Sequence, residues 1–455
     1  MMILAFKPEL RGRVEIPASK SISNRALFIN ALVEKPCSIE NLAECDDVAA
    51  MLRVVGGEVA NTVSEAISRK RNTKTKDTAC VGMGNLFALD NASANSTSTT
   101  DTKIVPFTRV DVGAAGTAMR FATALLAVRE NKRYILSGSE RMHRRPIGIL
   151  VDALRSLGAE ITYEGAEGFP PLAITGRRLT GTTVELSADV SSQYISALLM
   201  LGPMLPQGLQ LRLRGEIISR PYINLTLHVM AQFGARAMWI GDSTIYVHAG
   251  GYRRSEPLYI EKDWSAASYW YEMLALSNDE KARLDLIGLQ ADTVQGDSRV
   301  NDYFAMLGVH TEFTSQGVRL IKQPLQKDVF LQIDLTEQPD LAQTLVVTCA
   351  MLGVPFHFTG LQSLRIKETD RIVALQTELK KFGVTMQVRL EGELIWDGHT
   401  TEEQALLAID TYEDHRMAMA FAPCAMKHPG LVINNPEVVS KSYPGYWEAL
   451  RPFLR

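Results

Sequence analysis

Residues 114–127 read AAGTAMRFATALLA, a glycine-containing signal followed by an alanine- and leucine-rich run with the composition of a buried helix. The same arrangement returns at SKSISNRALFINAL (19–32), SSQYISALLML (191–201), WSAASYWYEMLAL (264–276), PDLAQTLVVTCAML (339–352) and DHRMAMAFAPCAM (414–426). After the first interval the spacing is about 75 residues, a fixed period of the kind that marks repeated supersecondary units. A second series keeps step with it: Gly57 in GGEV, Gly158 in LGAEI, Gly234 in FGARA, Gly308 in LGVHT and Gly383 in FGVTM. A glycine just past a helix end, followed by an extended run, is the expected C-terminal signal. Helix starts present free N–H groups and a partial positive charge. A chain that gathers several of them, decorated with Lys, Arg and Ser, is suited to holding anions.

Short β-like runs separate the helices: RYILSG (133–138), TTVELS (182–187), LQLRLRG (209–215), TIYVHAG (244–250), VRLIKQ (318–323), LLAIDT (406–411) and LVINN (431–435). Strands alternating with helices predict the α/β (α+β) class. The second helix of each unit, such as PIGILVDALRSLG (146–158) or DRIVALQTELKKFG (370–383), is amphipathic, whereas the first is apolar nearly all round and should be buried. Six repeats divide into three per domain, with a seam near Tyr252–Tyr259, after the Gly-, charge- and Pro-rich GGYRRSEP. The first repeat is longer by roughly 20–25 residues if the others set the period. The excess, between Asn61 and Pro106, contains SRKRNTKTKDT and DNASANSTSTTDT, too polar to bury much surface, and is expected to be a mobile surface excursion. Asn91 and Asn95 there match glycosylation sequons, but no secretory signal accompanies them.

The chain of 455 residues is too long for one ordinary core. Its 46% hydrophobic and 22% charged content is that of a soluble globular protein. A net charge of −3 supplies no global field for nucleic acid or an anionic membrane, so basic residues matter only locally. The five cysteines (Cys37, Cys45, Cys80, Cys349, Cys424) form no CxxC or metal spacing and predict reduced thiols in a cytoplasmic protein. No transmembrane run and no signal peptide is expected.

The polar motifs carry the chemistry. In Lys20-Ser21-Ile22-Ser23-Asn24-Arg25, Ser21 and Arg25 share a helix face, either as a phosphate or carboxylate clamp or as an ordinary cap with a solvated Arg. Gly113-Ala114-Ala115-Gly116 permits close backbone approach to a ligand or close packing of small residues, and lacks the dinucleotide-binding spacing. Arg141, His143, Arg144 and Arg145 before Pro146 fit a first helical turn, where four basic groups oppose the helix dipole unless an anion compensates. Ser191-Ser192-Gln193 and Ser219-Arg220-Pro221-Tyr222 suit a polyol or simple capping. Lys367-Glu368-Thr369-Asp370-Arg371 is expected to open a helix with Lys367 and Arg371 on one face, as a ligand site or a surface ladder. Asp414-His415-Arg416 enters an apolar helix and is hard to explain as solvated surface. The eight histidines show no paired metal spacing, so no metal is expected.

Taken in order, KSISNR, AGTAMR, RRPIG, SSQY, SRPY, KETDR, DHRMAM and SKSYP closely resemble the 5-enolpyruvylshikimate-3-phosphate synthases, from about Lys7 to Leu450. The resemblance implies a two-domain enolpyruvyl transferase fold, an inside-out α/β barrel of six βαβαββ-like repeats with the active site in the interdomain cleft. Here that gives residues 18–259, carrying the polar excursion 61–106, as one domain and 1–17 plus 260–455 as the other. It implies transfer of the enolpyruvyl group from phosphoenolpyruvate to the 5-hydroxyl of shikimate 3-phosphate, without cofactor, by a monomer, and inhibition by glyphosate.

By motif position, Asp340 is the implied base for the hydroxyl and Glu368 the proton carrier at C3, with Lys20 assisting, and His415 is implied to orient or hydrogen-bond the phosphate. Lys20, Gly116, Arg145, Gln193, Arg371, Arg416 and Lys441 are implied for phosphoenolpyruvate. Lys20, Ser21, Arg25, Ser191, Ser192, Gln193, Ser219, Tyr222, Asp340, Ser363 and Lys367 are implied for shikimate 3-phosphate. Ala114 and Ser363 stand where the family usually or often has Asn, and Phe121 where many members have Pro. The alternative is the sister transferase acting on UDP-N-acetylglucosamine. That enzyme usually carries Lys-Asn where this chain has Lys20-Ser21, and a Cys or Asp in the loop matching GSERMHRRP. A catalytically dead anion-binding scaffold would be expected to lack Asp340, Glu368 or Lys20, all present here.

Overall fold

The computed structural model describes residues 1–56, 105–189, 191–326 and 329–455. All six alanine-rich segments are helical: Lys20–Asn30, Gly116–Ala127, Ser192–Leu201, Trp264–Leu276, Ala342–Leu352 and His415–Phe421. They are the interior of the molecule. In Trp264–Leu276 every residue except Ser265 is buried, and in Ala342–Leu352 the first nine are. Each large apolar side chain so buried stabilises by about 1.5–3 kcal/mol, so packing rather than helix propensity holds these segments.

Four units show the full strand–helix–strand–helix–strand–strand order. One runs Phe107–Asp111, Gly116–Ala127, Arg133–Ser137, Gly148–Ser156, Glu160–Tyr163 and Leu172–Thr175. Its first two strands pair in parallel and the last two complete the sheet antiparallel. The units beginning at Thr183 and Leu331 repeat this. A fourth borrows its first strand from the chain start, Arg11–Glu15 lying parallel to Arg283–Ile287. The first and last units are smaller among the described residues. Ile39–Glu40 pairs with Leu258–Tyr259, and Ala408–Ile409 and Leu431–Ile433 are joined by Met2–Leu4. No sheet closes on itself among the described residues; the sheets have two to four strands.

The buried apolar residues fall into two clusters. One runs from Ala18 to Ile260; the other joins Leu4–Ile16 to Trp264–Phe453. No described helix is long and apolar enough to cross a membrane. The polar excursion lies outside the described residues apart from Val105 and Pro106, as do Cys80, Asn91 and Asn95. Cys37, Cys45, Cys349 and Cys424 are free and buried.

Two local expectations are corrected. Arg141–Pro146 is not the first turn of an α-helix: Met142–Arg144 is a 3-10 turn, Arg145 is extended (φ −93°, ψ 122°), and the helix starts at Gly148. Pro146 disfavours the helical region for the residue before it. Lys367 and Arg371 do not share a helix face, because the helix begins at Arg371. Asp370 is its N-cap, accepting from the amides of Ile372 and Val373 at 3.1 Å each, and that places Lys367 in the preceding loop.

Candidate active site

Helix starts from both clusters meet in one cleft. Ser19 caps the helix beginning at Lys20, and the Lys20 amide also donates to Asp263 Oδ2 at 3.2 Å. The other oxygen of Asp263 caps the Trp264 helix, accepting from Ser265 and Ala266 amides at 2.8 and 3.2 Å. One carboxylate therefore ties together two helix N-termini on either side of the chain crossover, where the dipoles favour a negative charge. The Lys20 ammonium reaches Asp47 Oδ2 at 2.9 Å. Burial is the largest single influence and opposes its charge, but the attractions of Asp47 and Cys45 together hold the ammonium above its usual range.

Arg25 is a hub in the first cluster. Its Nε donates to Thr226 Oγ1 at 2.7 Å, Nη1 to the Ser21 carbonyl at 2.9 Å and Nη2 to Ser196 Oγ at 3.1 Å. The Phe121 ring lies 5.6 Å from the guanidinium carbon, so the residue that departs from the family pattern packs against a site cation. Burial lowers the Arg25 guanidinium to about 10, and no carboxylate pairs with it among the described residues. A buried cation without a counterion is a place for an anion. Beside it, Ser191 caps the Ser192 helix and Gln193 Nε2 donates to Thr117 Oγ1 at 3.0 Å.

On the opposite wall two carboxylates are held by several cations each. Asp340 accepts from Arg416 Nη2 at 2.8 Å and lies 3.4 Å from Arg371 Nη1 and 3.5 Å from Lys367 Nζ. Glu368 pairs with Lys441 Nζ at 2.9 Å and Arg371 Nη2 at 3.0 Å, with Arg145 Nη1 at 4.0 Å across the cleft. Burial would raise both carboxyls. For Asp340 it is outweighed by Arg416, Lys367, Arg371 and Lys20, and for Glu368 by Lys441, Arg371 and Arg145, so both stay ionised well below the usual range. Arg371 is itself anchored by Asp414, Nε to Oδ2 at 2.7 Å, and Asp414 caps the His415 helix through the Arg416 amide at 2.9 Å. His415 is buried, and neither ring nitrogen has a hydrogen-bond partner among the described residues. Burial, then Lys20 and Arg416, lower its pKa well below the usual value, leaving a neutral ring at pH 7.

Across the cleft Tyr222 donates its hydroxyl to Asp297 Oδ1 at 2.9 Å, and Ser265 hydrogen-bonds the other oxygen. Burial, then the nearby Asp340 charge, raises the Asp297 carboxyl to about 6.

The cavity between these walls is lined by Lys20, Ser21, Arg25, Gly116, Arg145, Ser191, Ser192, Gln193, Ser219, Tyr222, Asp340, Lys367, Glu368, Arg371, His415 and Arg416, all named from sequence. Lys441 enters through Glu368 and through the Ala114 carbonyl, to which it donates at 2.7 Å. Ser363, in the 3-10 turn Gln362–Ile366, is not brought to the lining. Asp47, Asp263 and Tyr269 also line the cavity and were missed, as was Asp297 beneath it. Asp263 was findable, since an Asp just before WSAAS is an N-cap signal. Asp47 and Asp297 become site residues only through tertiary contacts. Six basic side chains (Lys20, Arg25, Arg145, Lys367, Arg371, Arg416) thus face four carboxylates (Asp47, Asp263, Asp340, Glu368). Among the described residues no group of three His, Cys, Asp or Glu is arranged to hold a metal ion.

The EPSP synthase (3-phosphoshikimate 1-carboxyvinyltransferase) family model matches residues 6–86 and 69–450. The chain is 49% identical over 451 residues to a 3-phosphoshikimate 1-carboxyvinyltransferase of Bacteroides fragilis, covering 99% of this chain and 97% of that protein. It is 35% identical over 446 residues to the protein of that name from Shewanella pealeana, covering 96% of each. An Acinetobacter baumannii EPSP synthase structure superposes with a TM-score of 0.69 at 21% identity, covering 99% of this chain and 97% of that one. The enolpyruvyl transferase NikO from Streptomyces tendae gives 0.67 at 16% identity, covering 99% and 96%, a likeness of fold alone. With a family match spanning nearly the whole length and full-length relatives, the chain belongs to the EPSP synthase (3-phosphoshikimate 1-carboxyvinyltransferase) family.

Proposed function

We propose that this chain transfers the enolpyruvyl group of phosphoenolpyruvate to the 5-hydroxyl of shikimate 3-phosphate, releasing phosphate. The working unit is taken as a cytoplasmic monomer of two domains, 18–259 and 1–17 with 260–455, with the cleft as active site. The observation that carries the proposal is the pairing of Asp340 and Glu368 with clustered cations, Arg371 bridging the two, beside a serine-lined pocket built on Arg25. Two anionic substrates match the cations; two carboxylates match the two proton transfers.

Asp340 accepts the proton of the 5-hydroxyl as its oxygen attacks C2 of phosphoenolpyruvate, and C3 takes a proton from Glu368. In the second step C3 returns a proton to Glu368, the C2–phosphate oxygen bond breaks, and phosphate leaves with the proton that came from the hydroxyl. Lys20 and His415 face the departing phosphate. Lys20, Arg145, Arg371, Arg416 and Lys441 supply fixed positive charge for phosphoenolpyruvate, with Gly116 and Gln193 beside it. Ser21, Arg25, Ser191, Ser192, Ser219, Tyr222 and Lys367 hold shikimate 3-phosphate; Ser363, set back from the lining, takes no contact in this proposal. Asp340 and Glu368 are strongly ionised by the cations that the phosphoenolpyruvate charges would engage. Sharing those cations with substrate weakens their hold on the carboxylates, so substrate binding makes Asp340 a better base and lets Glu368 carry a proton. The chemistry is acid/base transfer in a field of fixed charge, with no redox step and no cofactor role. The sister reading, with UDP-N-acetylglucosamine as acceptor, is disfavoured by the names of the full-length relatives.

Proton NMR of the product formed from the two substrates tests this. A vinyl ether on the oxygen of shikimate carbon 5 supports the proposal; an unchanged shikimate spectrum overturns it.

A further inference from the structure

Of the basic residues in GSERMHRRP, Arg145 lines the cavity, His143 hydrogen-bonds Ser137 Oγ at 2.9 Å, and Arg144 is an exposed partner of Glu140. Arg141 does something else. Its Nε donates to the Glu368 carbonyl at 2.9 Å and its Nη2 to the Lys367 carbonyl at 3.2 Å. The neighbouring Met142 belongs to the apolar cluster of the first domain, whereas Leu364 and Ile372, flanking the loop, belong to the cluster of the second. The contact therefore crosses the cleft.

Its target is a main-chain segment that secondary structure leaves unpaired. Lys367 and Glu368 follow the 3-10 turn Gln362–Ile366 and precede the helix start at Arg371. At the helix start the ties come from the loop's own side, where Asp370 caps the helix and Arg365 Nη1 holds Asp370 Oδ2 at 3.0 Å; across the cleft the Glu368 carboxylate also lies 4.0 Å from Arg145 Nη1, a looser contact to the side chain and not to the backbone. The planar guanidinium fork suits two adjacent carbonyls, and a point charge would not span both. Neither carbonyl is in a core, and Arg141 is only half-buried, so water can replace the contact when the domains part.

We propose that Arg141 is a positioning residue for the transfer reaction: gripping the carbonyls of Lys367 and Glu368 from across the cleft, it sets the loop that carries both side chains when the domains come together. This rests on the function proposed above. Closure then delivers two things at once, the Lys367 ammonium beside shikimate 3-phosphate and the Glu368 carboxyl at the C3 proton transfer. Arg141 touches neither substrate, and its effect falls on placement, where about 1 Å of error can cost ~100-fold in rate.

The test compares full-length parent, Arg141→Gln and Arg141→Lys. Turnover, KM for both substrates, the shikimate 3-phosphate Kd measured without phosphoenolpyruvate, melting temperature, and amide exchange over residues 366–371 with both ligands are read. Arg141→Gln should lower kcat about 10–100-fold, leave the Kd within about threefold and speed exchange in the loop under ligand. The melting temperature should change little. Arg141→Lys, able to reach one carbonyl, should fall between, and it serves alone if the Gln variant does not fold. A kcat within about twofold of the parent, a loss that simply tracks melting temperature and Kd, or unchanged loop exchange overturns the role of Arg141. A parent inactive with shikimate 3-phosphate sinks the proposed function and this role with it, whereas an active parent with an unaffected variant sinks only this role.

Discussion

Arg416 donates to Asp340 at 2.8 Å from the first turn of a helix that begins 75 residues downstream of Asp340 and carries the same cleft-facing placement one repeat later. The proposed base and its strongest cation thus come from the starts of corresponding helices in consecutive repeats. Asp340 is a poor base while Arg416, Arg371 and Lys367 are all directed at it.

Asp340→Asn should lower kcat by roughly 10²–10⁴-fold while shikimate 3-phosphate affinity falls much less, because the lost function is proton transfer. Glu368→Gln should do the same. Steady-state kinetics with a separate calorimetric Kd checks this; near-normal turnover in Asp340→Asn would remove the base assignment.

Arg371 and Asp414 are a buried pair, with side chains 2% and 0% exposed. Asp414→Ala leaves the guanidinium under-compensated and removes a helix cap, so unfolding free energy should fall by about 3–5 kcal/mol. Chemical denaturation reads it. A loss under about 1 kcal/mol would show that Asp340 and Glu368 suffice to hold Arg371.

Much of this site was legible before any coordinates. The helix starts at Lys20, Gly116, Ser191 and Asp414 that meet in the cleft are local features, because capping and apolar periodicity are written in neighbouring residues. The strand that Arg11–Glu15 lends to Arg283–Ile287 was legible only through the family resemblance, which groups 1–17 with 260–455, since pairing across some 270 residues leaves no local mark. The charge of Arg141 suggests an anion site at a helix turn, whereas its partners are two carbonyls more than 220 positions away. Lys367 was placed on a helix because Asp370 reads equally well as helix interior or as cap.

Gly116 lies against Arg145. A Cβ at position 116 would stand 2.6 Å from Arg145 Nη1 and 2.9 Å from Nη2, so the guanidinium must move. Gly116→Ala should raise the KM for phosphoenolpyruvate several-fold, about 1 kcal/mol of lost binding, with a smaller change for shikimate 3-phosphate. Glyphosate, expected to compete for the same cations, should inhibit the parent less as phosphoenolpyruvate rises and should inhibit Gly116→Ala more weakly. Inhibition insensitive to phosphoenolpyruvate, or an equally sensitive variant, contradicts this placement of Arg145.

Asp297 gives a pH signature. Its folded pKa is raised from 3.8 to about 6 by burial and by Asp340. The stability of its protonated form is complete below 3.8 and is lost as pH rises through about 6. Asp297→Asn does not titrate, so its melting temperature should gain on the parent between pH 4 and pH 7, by up to roughly 3 kcal/mol in stability. Asp340 and Glu368 act oppositely, since their lowered values contribute stability that is lost only as pH falls in the acid range. Parallel melting curves for parent and variant across that window would rule out Asp297 as the titrating group.

The central claim concerns the acceptor. The most direct measurement is phosphate release from phosphoenolpyruvate by the purified chain, with shikimate 3-phosphate or UDP-N-acetylglucosamine supplied in turn. Release should require shikimate 3-phosphate and exceed that with the nucleotide sugar by at least ~100-fold, since a site built to hydrogen-bond one polyol leaves its polar groups unpaired with the other. Release with UDP-N-acetylglucosamine at an equal or greater rate, or none with shikimate 3-phosphate, would contradict the account.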